Sequence, residues 1–191
     1  MNKNEIVSFI YKTNILKLGT VKLKNGDFSD YIYDFGNVYS PDDLSRLAFW
    51  MVNAIRDIDF NVIFTSAYKG ITLATAVALE YNARFPFKSI KMGYIRKEEK
   101  DHGEKGSIVG YNPQKNDRVL MIDDVITTLG SQKEMHKYIV SQLAYPVGSV
   151  VVISRINQKY LDEAEQILNI PLRYLIHDSD ITKKFNSYYQ T

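Results

Sequence analysis

From residue 61 onwards, short apolar runs alternate with segments whose apolar residues recur at helical spacing. The apolar runs that are typical of strands lie at residues 61–65, 89–97, 118–122, 149–154 and 172–176. Segments typical of helices follow the first, third and fourth of these runs, at residues 71–81, 132–143 and 160–168. This alternation predicts an α/β fold with a mainly parallel, twisted sheet flanked by helices.

The first 40 residues have a different pattern. A helical segment at residues 4–16 is followed by strand-like runs at 20–23 and 31–35, separated by the turn signal Asn25-Gly26. Ser40-Pro41 then predicts the start of a helix that continues to about Arg56. We interpret residues 1–191 as a single domain, with a small N-terminal hood of helix and short strands (1–40) and an α/β core (41–191).

Composition excludes several classes of protein. The 191 residues are 45% hydrophobic and 24% charged, which is typical of a folded globular chain. A net charge of +2 gives no reason to expect nucleic acid as a partner. Because the chain has no cysteine, disulfides, thiolate metal sites and thiol catalysis are excluded. The sequence shows neither a signal peptide nor an apolar run of about 20 residues, so we expect a cytoplasmic protein that does not enter the membrane.

Ligands of open α/β sheets bind at the carboxyl ends of the strands, which points to the loops at 66–70, 98–110 and 123–131. The last of these lies in the segment VLMIDDVITTLGS, residues 119–131. Asp123 and Asp124 would repel each other unless hydroxyl donors or a cation lay nearby. The hydroxyl-rich residues that follow precede a helix, whose N-terminus can hold a phosphate. The segment therefore suggests a phosphorylated sugar as ligand, although an ordinary capped helix after a strand is an alternative.

The segment YIRKEEKDHGEKG, residues 94–106, is dense in charge and ends in two glycines. Such a segment is usually a solvated, mobile loop. Its basic residues can also gather around a polyanion, and Gly103 and Gly106 would let it move as a lid.

These two segments resemble known motifs. Residues 119–131 are similar to the motif of type I phosphoribosyltransferases that binds phosphoribosyl pyrophosphate (PRPP). The arrangement RK-x-x-KDHGE resembles the catalytic loop of orotate phosphoribosyltransferases, a more discriminating match. SAYKG (66–70) and LKLGTVKLKNGDFSDYIYDFG (16–36) also resemble segments of that family. The resemblance implies the type I phosphoribosyltransferase fold and transfer of the 5-phosphoribosyl group of PRPP to N1 of orotate, in UMP biosynthesis.

The resemblance also implies roles for particular residues. The predicted catalytic residues are Lys69, Lys100, His102, Asp123 and Asp124. The predicted PRPP-binding residues are Lys24, Tyr68, Lys69, Arg96, Lys97, Lys100, His102, Asp123, Asp124, Val125, Ile126, Thr127, Thr128, Leu129, Gly130 and Ser131. The predicted orotate-binding residues are Ile32, Tyr33, Thr127 and Arg155. The resemblance further implies Mg²⁺ carried by PRPP rather than held in a protein cage, and a homodimer whose subunits share the catalytic loop.

The chain departs from the family pattern at two positions. Leu129 stands where orotate enzymes usually have glycine, so either the backbone at 129 stays right-handed or Gly130 takes over the flexible role. Ile32 stands where the family often has an aromatic residue. Two alternative functions stay open: a phosphoribosyltransferase for another base, and a non-enzymatic PRPP-binding regulator of the same fold.

Overall fold

A six-stranded sheet forms the centre of the chain in the computed structural model, which describes residues 2–22, 28–100 and 106–189. The strands of this sheet are β3 (Val62–Ser66), β4 (Lys91–Lys100), β5 (Gly106–Gly110), β6 (Arg118–Ile126), β7 (Tyr145–Ser154) and β8 (Leu172–His177). Their spatial order is β5-β4-β3-β6-β7-β8. All neighbours pair in parallel except β4 and β5, which are antiparallel. The predicted fold class, a mainly parallel sheet flanked by helices, is confirmed.

Helices cover both faces of the sheet. They are α1 (Lys3–Lys12), α2 (Pro41–Ile55), α3 (Lys69–Arg84), α4 (Gly130–Ser141), α5 (Gln158–Leu168) and α6 (Asp178–Tyr189). Successive residues of a strand point to opposite faces, and the two apolar cores follow this rule. Ile63 and Leu120 belong to the core of α1, α2, α3 and α6, whereas Phe64 and Met121 belong to the core of α4 and α5.

The N-terminal segment adds a second, smaller sheet. Strands β1 (Leu16–Lys22) and β2 (Phe28–Tyr33) pair in antiparallel fashion on either side of the predicted Asn25-Gly26 turn, which lies outside the described residues. Helix α1 buries Ile6 and Ile10 in the same core as Leu47 of α2. A short 3₁₀ turn at Phe35–Asn37 then leads towards α2. The segment is thus packed onto the core of the main sheet.

The limits of several strands differ from the prediction: β1 begins at Leu16 and not at 20, β2 covers Phe28–Tyr33 and not 31–35, and β7 begins at Tyr145 and not at 149. Two further differences bear on the site. The run expected to end at Ile122 continues to Ile126, because β6 keeps pairing with β7 as far as Ile126 opposite Ser154. The two acids therefore lie within a strand and not after it. The expected loop at 98–110 is also largely wrong: β4 extends to Lys100, and 106–110 form β5, where Ile108 and Val109 pair with β4. The β-branched pair Ile108-Val109 is the strand signal in 106–110 that the neighbouring charges obscured.

Candidate active site

Two of the three predicted ligand loops, those at 66–70 and 123–131, meet at one end of the sheet, together with the residues that follow β7. Strands β3, β6 and β7 run parallel, so the segments after Ser66, Ile126 and Ser154 leave the sheet on the same side. The backbone N–H of Arg155 donates to the carbonyl of Ile126 at 2.8 Å, which joins the ends of β6 and β7 directly. The residues that follow these three strands are therefore neighbours in space.

Gly70 lets the start of α3 approach the acidic strand closely. A Cβ atom at this position would lie 2.2 Å from Oγ1 of Thr65 and 3.7 Å from Oδ1 of Asp123. The first of these distances is shorter than real Cβ contacts allow, so only glycine fits here without movement. Glycine at position 70 thus lets the first turn of α3 lie directly against Thr65 of β3 and next to Asp123 of β6.

Asp123 and Asp124 are adjacent carboxylates in a poorly solvated place. Asp123 is 7% exposed, and its Oδ1 accepts the backbone N–H of Asp124 at 3.0 Å. Burial and the charge of Asp124 raise the pKa of Asp123 to about 7. Burial also raises the pKa of Asp124, against the lowering effect of the Val125 N–H, which Asp124 accepts at 2.8 Å, and of Lys69. The pair therefore resists carrying two charges without a ligand.

Lys69 links the core to the N-terminal segment. Its Nζ donates to Oδ1 of Asp34 at 2.6 Å, and Lys17 donates to Oδ2 of the same carboxylate at 2.6 Å. Hydrogen bonds from the two lysines hold the pKa of Asp34 well below its usual value. Lys69 is about half exposed, so its ammonium is accessible to an anionic ligand.

Two further predicted residues lie beside Lys69. Tyr68 is 65% exposed, and the Nζ of Lys97 lies 5.0 Å from the centroid of its ring. Lys97 is near the end of β4, so the structure brings this lysine to the end of β3. Arg96 is half-buried and engaged within the protein.

The segment from Val125 to Ser131 resolves the question posed by Leu129. Val125 and Ile126 continue β6, while Thr127 and Thr128 are exposed beyond it. Leu129 has φ −85° and ψ 13°, and its side chain is buried against the core of α4 and α5. The first alternative is therefore the correct one: the backbone at 129 stays right-handed, and Gly130 has no positive φ. Helix α4 begins directly after Leu129, with Gly130 and the half-buried Ser131 as its first two residues.

A second group of side chains surrounds Arg155. Its guanidinium carbon lies 4.6 Å from the ring centroid of Tyr31 and 5.9 Å from that of Tyr33. Nη2 donates to the hydroxyl of Ser29 at 3.3 Å, and Nε lies 3.7 Å from Oδ1 of Asp178. The hydroxyl of Tyr33 donates to Asp178 at 2.6 Å. Arg155 is thus held by residues of β2 and of the first turn of α6.

This group corrects one part of the sequence interpretation. Tyr31 and Tyr33 share a face of β2 because alternate residues of a strand do so, which places Ile32 on the opposite face. Sequence reasoning missed Tyr31, and also missed Asp34 and Asp178, whose partners are far away along the chain. Gly70 was within the quoted motif, but its packing role was not recognised.

Some predicted residues cannot be located. Lys24 and His102 lie outside the described residues, and so does Gly103. Lys100 is the last residue of β4, and its side chain is not among those described. Their predicted roles therefore stay predictions.

The described residues also provide two general observations. Among residues 2–22, 28–100 and 106–189, no helix combines the length and apolarity needed to cross a membrane. Within the same ranges, no group of three or more histidine, aspartate or glutamate side chains is arranged to hold a metal ion.

Comparison with known proteins places this geometry in context. The chain matches no protein-family model. It is 33% identical over 188 residues to an orotate phosphoribosyltransferase of Schizosaccharomyces pombe, a match that covers 94% of this chain and 86% of that protein. A solved orotate phosphoribosyltransferase of Francisella tularensis superposes with a TM-score of 0.71 at 26% identity, covering 97% of this chain and 98% of the other.

A third relative was solved with a ligand. The orotate phosphoribosyltransferase of Mycobacterium tuberculosis in complex with 5-phospho-α-D-ribosyl 1-diphosphate has a TM-score of 0.69 and 20% identity, covering 94% of this chain and 98% of that one. At this identity the likeness demonstrates a common fold.

Proposed function

The chain belongs to the orotate phosphoribosyltransferase family, and we propose which of its residues carry out that family's reaction. Members of the family are pentosyltransferases of pyrimidine biosynthesis. In the reaction, C1 of the ribose of PRPP loses pyrophosphate and gains a bond to N1 of orotate. The products are orotidine 5′-monophosphate and pyrophosphate.

One observation carries the residue assignment. Strand β6, which carries the acidic pair, lies between β3 and β7; Lys69 begins the helix that follows β3, and Arg155 follows β7 at the same end of the sheet. A ligand that spans this edge would meet carboxylates in its middle and a cation at each end. PRPP and orotate together have this pattern, with ribose hydroxyls between a diphosphate and a carboxylate.

The roles follow from this order of charges. Asp123 and Asp124 accept the ribose hydroxyls, and the exposed segment from Thr127 to Ser131 at the start of α4 receives the 5′-phosphate. Arg155 binds the orotate carboxylate through parallel hydrogen bonds, beside Tyr33. Val125 and Ile126 contribute backbone at the same place, and Thr127 is the remaining predicted orotate contact. Ile32 is assigned no contact, because it lies on the opposite face of β2 from Tyr33.

The leaving group determines what the basic residues do. When the C1–O bond breaks, negative charge grows on pyrophosphate, and positive charge develops on the ribose ring. Lys69 and Lys97 lie where they can neutralise the diphosphate, beside Tyr68. We assign the same task to Arg96, Lys100 and His102, and contact with PRPP to Lys24.

The oxygen ligands at the proposed site also indicate how a Mg²⁺ ion would be bound. Mg²⁺ prefers oxygen ligands, keeps several waters and commonly binds through substrate phosphates. We propose that the Mg²⁺ ion arrives on PRPP and is held mainly by its phosphates and by water. When bound there, the ion would neutralise diphosphate charge, while Asp123 and Asp124 remain available to the ribose hydroxyls.

Further proposals concern organisation. We propose that the protein is a cytoplasmic homodimer, in which residues around 98–110 act on the partner's site. We also propose that residues 1–40 form a hood over the core of a single domain. The ion pair between Lys69 of the core and Asp34 supports the hood, because it ties the segment to the proposed site.

A direct assay tests the function. Mixing the protein with PRPP, Mg²⁺ and orotate should remove the absorbance of orotate, and omission of any one of these should prevent the loss. Uracil and adenine should not compete with orotate in product formation. An unchanged orotate absorbance, or preferential use of another base, would contradict the proposed function.

Two variants then test the assignment of residues. Arg155→Ala should raise the orotate KM roughly thirty-fold while PRPP binding, measured by calorimetry, stays nearly constant. Arg118→Ala is the matched control, because Arg118 begins β6 at the other end of the strand and pairs with Asp59. Equal damage to PRPP and orotate in Arg155→Ala would show that this arginine has a structural role.

A further inference from the structure

Asp178 is a half-buried carboxylate that meets three side chains of the proposed orotate site. It is the first residue of α6, and its side chain is 20% exposed. The hydroxyl of Tyr31 donates to its two oxygens at 2.8 and 2.7 Å, and the hydroxyl of Tyr33 donates to Oδ1 at 2.6 Å. Nε of Arg155 lies 3.7 Å from the same oxygen.

These contacts restrain the guanidinium of Arg155 on more than one side. Asp178 attracts its Nε side, the ring of Tyr31 lies against its carbon at 4.6 Å, and Nη2 reaches Ser29. A guanidinium binds a carboxylate best through two parallel N–H donors, so its orientation matters as much as its charge. Without Asp178, the flexible arginine chain would keep the Tyr31 contact but lose its Nε partner.

The two tyrosines depend on the same carboxylate. Burial, and then the hydrogen bond to Asp178, raises the pKa of both Tyr31 and Tyr33. The hydroxyls therefore remain protonated donors at neutral pH, and Asp178 accepts from both. One carboxylate fixes the two rings on the same face of β2, at 5.7 Å between centroids.

Helix α6 is anchored independently of Asp178. Ile181 is fully buried, its carbonyl accepts the hydroxyl of Tyr11 at 3.1 Å, and Asp180 pairs with Lys3 at 2.8 Å. A change at Asp178 should therefore leave the helix docked, so its effect on the site can be measured in folded protein.

We propose that Asp178 is a positioning residue for the base: it orients Arg155, Tyr31 and Tyr33 for the orotate carboxylate. The inference rests on the proposed function, in which Arg155 binds that carboxylate. Asp178 itself does not touch the reacting atoms. A carboxylate at this place could also compete with orotate for Arg155, and the sign of the KM change separates these two effects.

The test compares three changes at Asp178 by steady-state kinetics. Asp178→Ala removes every contact and should raise the orotate KM about tenfold, with the KM for PRPP changed by less than about twofold. Asp178→Asn keeps one oxygen for the tyrosine hydroxyls and should raise it by only about threefold. Asp178→Glu retains the charge and should recover part of the loss.

Asp180→Asn is the matched control. It removes a carboxylate from the same helical turn and breaks the ion pair with Lys3, so it reports any effect of loosening α6. Its orotate KM should equal that of the unchanged protein. Thermal unfolding of all four variants verifies that each is folded.

Tyr33→Phe provides an independent measurement. It removes one donor to Asp178 and keeps the ring, so the orotate KM should rise less than in Asp178→Ala. The effect should be non-additive in the double variant, because the hydroxyl acts through Asp178.

The outcomes distinguish this inference from the proposed function. If the unchanged protein does not bind orotate, the proposed function fails. If it binds orotate and the Asp178 variants bind equally well, only the positioning role fails. A lower orotate KM in Asp178→Ala would mean that Asp178 competes with the substrate, and equal losses for PRPP and orotate would mean a structural role.

Discussion

Replacing Asp123 by asparagine removes one of two adjacent carboxylates and keeps an oxygen that can accept the Asp124 N–H. The pKa of Asp123 is raised from 3.8 to about 7 by burial and by the charge of Asp124. The folded state therefore holds a proton that the unfolded state releases, and stability falls as the pH rises from the unfolded value towards the folded one. The asparagine variant lacks this loss.

The size of this stability loss follows from the pH interval between the unfolded and the folded pKa of Asp123. Each pH unit in it costs the unchanged protein about 1.4 kcal/mol relative to the variant. Between about pH 5.5 and the folded pKa the cost is roughly 2 kcal/mol. For a chain of this size, that corresponds to a difference in Tm of about 4–8 °C.

Thermal unfolding at about pH 5.5 and about pH 8 measures this difference, because groups that titrate elsewhere contribute equally to both proteins. The Tm of Asp123→Asn minus that of the unchanged protein should increase with pH. Asp180→Asn is the control: Lys3 lowers the pKa of Asp180, so this carboxyl is ionised at both pH values and the Tm difference of its variant should stay constant. A Tm difference for Asp123→Asn that stays constant with pH would refute the argument from burial and repulsion. The same variant should bind PRPP more weakly in calorimetry.

Three further predictions concern neighbouring contacts. Gly70→Ala should lower stability by about 1–3 kcal/mol and weaken PRPP binding, because its Cβ would collide with Oγ1 of Thr65. Adding Thr65→Ala should restore part of the lost Tm. If the double variant recovers no Tm, the collision is not the cause of the loss. Asp34→Asn should lower Tm at neutral pH by an amount worth about 1 kcal/mol, since Lys17 and Lys69 lower the pKa of Asp34. That deficit should shrink as the pH falls towards the lowered pKa, and a constant deficit would exclude the ion pairs as its cause. Mixing inactive Lys100→Ala with inactive Asp124→Asn should partly restore activity on subunit exchange if residues around 98–110 act on the partner's site. No recovery in heterodimers verified by mass spectrometry would exclude the shared site.

The sequence was sufficient for the fold class because its signals are periodic and local. Apolar runs such as Val119 to Ile122 and the helical spacing between them predicted a mainly parallel sheet, and strand ends then pointed to the ligand loops. Strand limits were less accurate. The end of β6 depends on pairing with Ser154 of β7, and that of β4 on pairing with β5, neither of which is visible locally.

The contrast between local signals and contacts between distant segments also explains which site residues could be predicted from the sequence. Asp123, Asp124 and Lys69 were predicted because they lie in contiguous motifs in the last part of a strand or directly after one. Asp178 was not found, because it is 145 residues from Tyr33 and its own segment carries no sign of the contact. Only the fold shows which alternative holds at Leu129, since the two alternatives differ in the backbone conformation of residues 129 and 130.

Aspartates of identical chemistry therefore behave differently around this one sheet edge. Two lysines stabilise the charge of Asp34 and lower its pKa, whereas burial beside Asp124 opposes the charge of Asp123 and raises its pKa. A ribose diol that donates hydrogen bonds to Asp123 and Asp124 would favour their charged forms, so ligand binding should release protons from this pair. The direction of each pKa shift cannot be read from the local sequences Asp123-Asp124 and Tyr33-Asp34-Phe35. It depends on how the fold buries each carboxyl and on which side chains from other elements lie beside it. Motifs thus identify the acids, and tertiary contacts determine their protonation.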